Sequence, residues 1–152
     1  MGLDCSHEAF HGAYSAFNQL RQQVCKAVGG SFPPHTDAEL LRRLGVGDVA
    51  EAMRFKWEGD RWFVPDGVTR EAWPGLYLFL CHSDCDGTLS PTECLLVADD
   101  LDRVLALPRG GALDAPAGQG HIGQQGGYRA VLGQFVKGCR AAHDADEVLE
   151  FH

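Results

Sequence analysis

Apolar residues recur at helical spacing in three long stretches of the chain. Over 6–28, Phe10, Ala13, Tyr14, Phe17, Leu20, Val24 and Val28 fall on one face of a helix, with Asn18, Gln22 and Lys26 opposite. Ser6 stands where a cap is needed, and Gly29-Gly30 supplies a stop. Over 91–107, Cys94, Val97, Ala98, Leu101, Val104 and Leu105 share a face, and Pro108 ends the pattern. Over 128–142, Val131, Leu132, Phe135, Val136 and Cys139 do the same. Between these stretches the signals are shorter. Thr36 to Glu39 reads as a capping box that opens a short helix closing at Gly45. Residues 53–64 alternate around Glu58-Gly59-Asp60-Arg61 and predict a small β-hairpin. The apolar run 76–81 fits a buried strand or a short buried helix equally well. Residues 109–127, rich in Gly, Ala, Pro and Gln, read as a long flexible surface loop, and the alternating tail 147–152 as an extended segment that docks. The expectation is a single domain over 1–152. It is mainly α, a compact bundle of four to five helices with a small β-hairpin and one EF-hand-like loop.

That loop is 82–93, HSDCDGTLSPTE. The calcium-loop pattern D-x-[DN]-x-[DN]-G-x5-E is met by Asp84, Asp86, Gly87 and Glu93, and only the first position departs, with His82 in place of aspartate. Ligands at alternate positions of a curling loop converge on one point, and a glycine at the sixth position permits the sharp turn. Glu93, on the first turn of the outgoing helix, can offer two oxygens. Leu89 stands where a side chain points into the core, and Ser90 where an oxygen or a water completes the shell. Three crowded carboxylates repel one another unless a cation sits among them. Imidazole is a poor calcium ligand and a good zinc ligand, so His82 leaves calcium and zinc both open. A purely structural reading uses the same letters. Ser90-Pro91-Thr92-Glu93 is a capping box with proline at the first helical position, and Asp84-Asp86-Gly87 is then only a turn.

Two further motifs carry chemistry. His7-Glu8-Ala9-Phe10-His11 satisfies H-E-x-x-H. On a helix, both imidazoles would reach one zinc, and Glu8 would serve as general base on a zinc-bound water. His82, Asp84 and His152 are candidates for a further ligand. The run 76–90 also resembles the first motif of phosphoesterases with DHH signatures, an apolar strand followed by H-x-D-x-D-G-x-x-S, although the later motifs of that family are missing. A cysteine-rich zinc site from Cys5, His7, Cys81, Cys85 and Cys94 fits no usual spacing.

Composition narrows the classes. The formal net charge of -8 disfavours nucleic acid as a partner, because the only basic pair is Arg42-Arg43. No apolar run approaches the roughly 20 residues of a membrane span. The opening residues lack the pattern of a secretory signal, so a reducing cytoplasm with free thiols is expected for the six cysteines. Met1-Gly2 through Ser6 matches an N-myristoylation pattern, which means something only where the transferase exists.

The opening MGLDCSHEAFHGAYSAF, the central HSDCDG and the closing LEFH together resemble a family of short proteins of bacteria, especially actinobacteria, and their phages. The resemblance rests on roughly half the chain, with no contribution from 30–70 or 108–127. It implies an intracellular setting in a bacterial host cell and no particular activity. The bunching of His, Asp and Cys in the three shared segments suggests that the termini and the loop meet at one site. The expected function is a small metal-binding protein, a phage- or plasmid-associated binding or regulatory module for a protein or small ligand. The alternatives are a metal-dependent hydrolase acting on a nucleotide or phosphodiester, and an interaction protein with no metal.

Overall fold

The computed structural model describes residues 2–32, 65–82 and 87–152. Within them the chain is mainly α, with two short antiparallel strand pairs. The helices are α1 (Tyr14–Ala27), α2 (Pro74–Cys81), α3 (Pro91–Leu105), α4 (His121–Gln124) and α5 (Tyr128–Asp144). The strands are β1 (Gly2–Asp4), β2 (His11–Ala13), β3 (Thr88–Leu89) and β4 (Leu149–Glu150). β1 pairs with β2, and β3 with β4. The expected helix over 36–45 and the expected hairpin over 53–64 lie outside the described residues. No helix among the described residues is long and apolar enough to cross a membrane.

α3 and α5 follow their apolar patterns closely. Ser90 caps α3, with Pro91 in its first turn, and Cys94, Val97, Ala98, Leu101 and Val104 are buried. α5 buries Val131, Leu132, Phe135, Val136 and Cys139 against it. Each large apolar side chain buried this way contributes about 1.5–3 kcal/mol. Phe17 of α1, Phe79 of α2, Phe135 of α5 and Phe151 of the tail form one ring cluster, with Phe79 and Phe135 edge to face at 5.1 Å. Arg21 is wholly buried beside it, its guanidinium 4.2 Å from the Phe17 ring centroid and donating to the Leu80 carbonyl at 3.3 Å.

The run 76–81 resolves to helix rather than strand. Two features of the neighbouring helix produce it. Asp100 of α3, only 5% exposed, accepts from the backbone N–H groups of Gly75 and Leu76 at 2.7 and 2.9 Å and so caps α2 from outside. Gly75 has no side chain, and a Cβ there would meet the Leu96 carbonyl oxygen at 1.9 Å, so α2 rests its first turn directly on the α3 backbone. The helix removes the strand that the phosphoesterase resemblance requires.

The amino-terminal segment corrects the expectation of a helix over 6–28. The α-helix begins at Tyr14, and residues before it form β1, a single 3-10 turn (Ser6–Glu8) and β2. His7 and Glu8 both have φ of 55°, the left-handed region, which no continuing right-handed helix can contain. Gly12 follows on β2. A Cβ on it would meet the His121 ring at 2.7 Å, so the bare backbone is needed. Residues 109–127 also differ from a flexible loop. They hold a 3-10 turn (Ala112–Asp114) and α4, with Leu113 and Ile122 buried and Arg129 gripping Asp114 at 2.7 and 2.9 Å. That guanidinium holds the Asp114 carboxyl down at about 2, so its contribution is present above pH 4 and is lost as pH falls toward 2.

The tail docks as expected, and it draws the termini and the loop together. β4 pairs with β3, and Phe151 N–H donates to the Gly87 carbonyl at 2.9 Å. On its other side, Asp4 and His152 exchange backbone bonds at 2.6 and 2.9 Å, and Glu150 N–H donates to the Ser6 hydroxyl at 2.8 Å. Leu149 and Phe151 are buried beneath.

Candidate cation-binding loop

α2 and α3 bracket the loop, and the contacts of Gly75 and Asp100 hold the two helices against each other. α2 stops at Cys81 because His82 turns extended, with φ -63° and ψ 149°. Gly87, at φ +98°, makes the sharp return that only glycine adopts without strain. β3 follows, with Leu89 at 1% exposure pointing into the core. Ser90 then opens α3.

The His82 ring is held on two sides. Its Nε2 lies 3.1 Å from the Thr88 carbonyl oxygen, and its face stacks on Phe151 with ring centroids 3.9 Å apart. His82 and Thr88 are the first and seventh positions of the loop, the seventh being the one that offers a backbone carbonyl to a cation. Glu93, at the twelfth position, completes a capping box. The Ser90 hydroxyl accepts from Glu93 N–H at 3.1 Å, and one Glu93 oxygen accepts from Ser90 N–H at 2.9 Å. That uses one of the two carboxylate oxygens. His82, Thr88, Leu89 and Glu93 all line one cavity of about 390 Å³, together with Tyr77 and Cys81. Asp84 and Asp86 lie outside the described residues. Among the described residues, no group of three or more His, Cys, Asp or Glu side chains is placed to hold a metal ion.

The H-E-x-x-H residues do not share a helical face. His7, in the left-handed turn, pairs with Glu147 at 3.1 Å, while His11, on β2, pairs through Nδ1 with Asp4. The zincin reading presumes helical geometry, and a turn followed by a strand removes it. Glu8 and His11 do line a second cavity, of about 330 Å³, with Asp4, Cys5 and His152. The tail touches both the amino-terminal segment and the loop, but their described candidate residues line two separate cavities rather than one site.

Of the residues in the cysteine-rich zinc reading, Cys85 lies outside the described residues, and the others form no group of three placed to hold a metal ion. Burial pushes the Cys5 thiol up to about 12 and the Cys81 thiol up to about 11, so both are protonated at neutral pH. The five described cysteines are free thiols.

Two residues that build this site escaped the sequence reading. Asp100 falls three residues after Val97 and four before Val104, so it sits on the buried face, and an acid there signals a backbone partner. Phe151 gave no sign of its role, because stacking on His82 depends on a tail path that spacing does not encode. No protein-family model matches the chain, and no curated protein or solved structure matches it either.

Proposed function

We propose that the chain is a divalent-cation-binding module, non-enzymatic, whose loop over 82–93 holds the ion and serves a binding or regulatory role. The observation that supports this reading is the approach of His82 Nε2 and the Thr88 carbonyl to 3.1 Å. Two groups separated by a turn, at the first and seventh loop positions, converge on one place. Without an ion, the imidazole N–H gives the carbonyl a partner, and a cation would take over that role. Asp84, Asp86 and the second oxygen of Glu93 would supply the negative charge. A nitrogen ligand favours zinc, and a shell completed by oxygens alone favours calcium.

Replacing Asp84→Asn together with Asp86→Asn tests this. The expected result is loss of bound metal in elemental analysis of protein purified without an affinity tag, and a lower melting temperature when metal is present. Equal metal content and equal melting in the two proteins would overturn it.

A second reading has its own support in the capping box. Under it, Glu93 serves only its helix, the loop is a capped turn, and the chain acts as an interaction protein without metal. The same double substitution then leaves both readouts unchanged, whereas Ser90→Ala costs about 1 kcal/mol.

A further inference from the structure

α2 is apolar on both of its sides. Gly75, Leu76, Phe79 and Leu80 are buried, while Pro74, Tyr77, Leu78 and Cys81, at the complementary helical spacing, are exposed or half-buried. A helix that is apolar all round sets its outer side against apolar material. Here that side lines the cavity of about 390 Å³ beside the loop, with Leu89 and Leu96 lining it too. Leu96 is 39% exposed, and it and Val148 are the large apolar side chains left open among the described residues. The lining runs from Arg70, in the turn before α2, to His82, just after it. α2 has eight residues, so that path is about 12 Å long. The volume holds about a dozen heavy atoms, if each takes the ~30 Å³ that one water occupies in the liquid. Apolar cavities of this size with a few polar groups at fixed places are where small ligands bind.

The charged groups decide which ligand. Arg70 brings its guanidinium to 4.9 Å from the Tyr77 ring centroid, a cation–π contact that holds it at the cavity. A guanidinium offers five N–H donors in a planar fork, enough to serve a carboxylate beside its protein partners. Glu93, in the first turn of α3, carries the negative charge of the lining, and one of its oxygens is already taken by Ser90 N–H at 2.9 Å. That charge repels a second carboxylate, so an acid enters with its head at Arg70 and its chain toward Leu89. A path this long in a volume this small fits a single chain. We propose that the cavity binds a small organic acid of the medium-chain fatty acid class, its carboxylate paired with Arg70 and its chain along the outer side of α2. The acid lies beside the cation loop and needs no ion, so this site is independent of whether the loop holds one.

The full chain is titrated with decanoate in a calorimeter, in the presence of chelator so that no loop cation takes part. The expected result is saturable binding of one decanoate per chain, with decylammonium, the same chain bearing the opposite charge, binding at least about ten-fold more weakly. Arg70→Gln lowers the decanoate affinity about ten-fold or more, the loss expected for a hydrogen bond between charged groups. Leu96→Glu, at an exposed position that the fold does not need, sets a carboxylate in the cavity wall and abolishes binding. Arg109→Gln removes an equal charge away from the cavity and leaves the affinity unchanged. Absence of saturable binding would overturn the proposal, as would equal affinity in Arg70→Gln or tighter binding of decylammonium. So would sedimentation of the chain as a dimer that Leu96→Glu breaks, since the cavity would then be filled by a second copy.

Discussion

Two histidine-bearing segments promised metal chemistry in the sequence, and the fold treats them differently. In the central loop, His82, Thr88 and Glu93 come to one cavity. At the amino terminus, His7 turns to Glu147 and His11 to Asp4. The spacing motif was as good in one case as in the other. What differs is the local support for the secondary structure that each motif assumes. The loop is framed by a capping box, a proline at the start of α3 and a glycine at the turn, all of which act within a few residues. H-E-x-x-H is meaningful only on a helix, and nothing nearby enforces one. Pairing with β2 and the tail is the better use of that backbone, because it buries Leu3 and Phe10 and satisfies the N–H groups of Asp4 and Cys5.

The contrast can be broken at the tail first. Phe151 packs on His82 and closes the ring cluster, so Phe151→Ala should cost about 3 kcal/mol or more of unfolding free energy, measured by urea denaturation. A loss below about 1 kcal/mol would mean that the tail does not hold the loop. Asp100→Ala comes next. It leaves the N–H groups of Gly75 and Leu76 buried without their acceptor and should cost about 2 kcal/mol by the same measurement, with Asp100→Asn retaining part of the stability. The smallest effect belongs to the amino terminus. His7→Gln with His11→Gln should change stability by less than about 1 kcal/mol, since His11 and both carboxylate partners are exposed, and should leave metal content unchanged. His82→Gln should lower metal content. If the two substitutions trade outcomes, the assignment of chemistry to the central loop is wrong.

Much of the fold was legible because it is local. The faces of α3 and α5 and the cap at Ser90 follow from periodicity and turn chemistry. The start of α1 was not legible. Phe10 and Ala13 happen to continue the helical spacing, while the forces that end it, the tail's bonds to Asp4 and the closeness of Gly12 to His121, come from residues more than a hundred positions away. The same reason hid the order within 109–127, where Arg129 ties Asp114 in place. At the site, the turn at Gly87 and the capping box of Ser90 and Glu93 were readable, but the grip of Phe151 on His82 was not, since it arises only once the tail has crossed the core.

The proposal that the loop over 82–93 holds a cation is tested most directly by melting the intact chain after chelator has stripped it and after calcium or zinc has been restored. Binding that is specific to the folded state should raise stability by about 2.7 kcal/mol at a hundred-fold excess over Kd, for one of the two ions. Identical melting in chelator, calcium and zinc, with no metal retained, would contradict it.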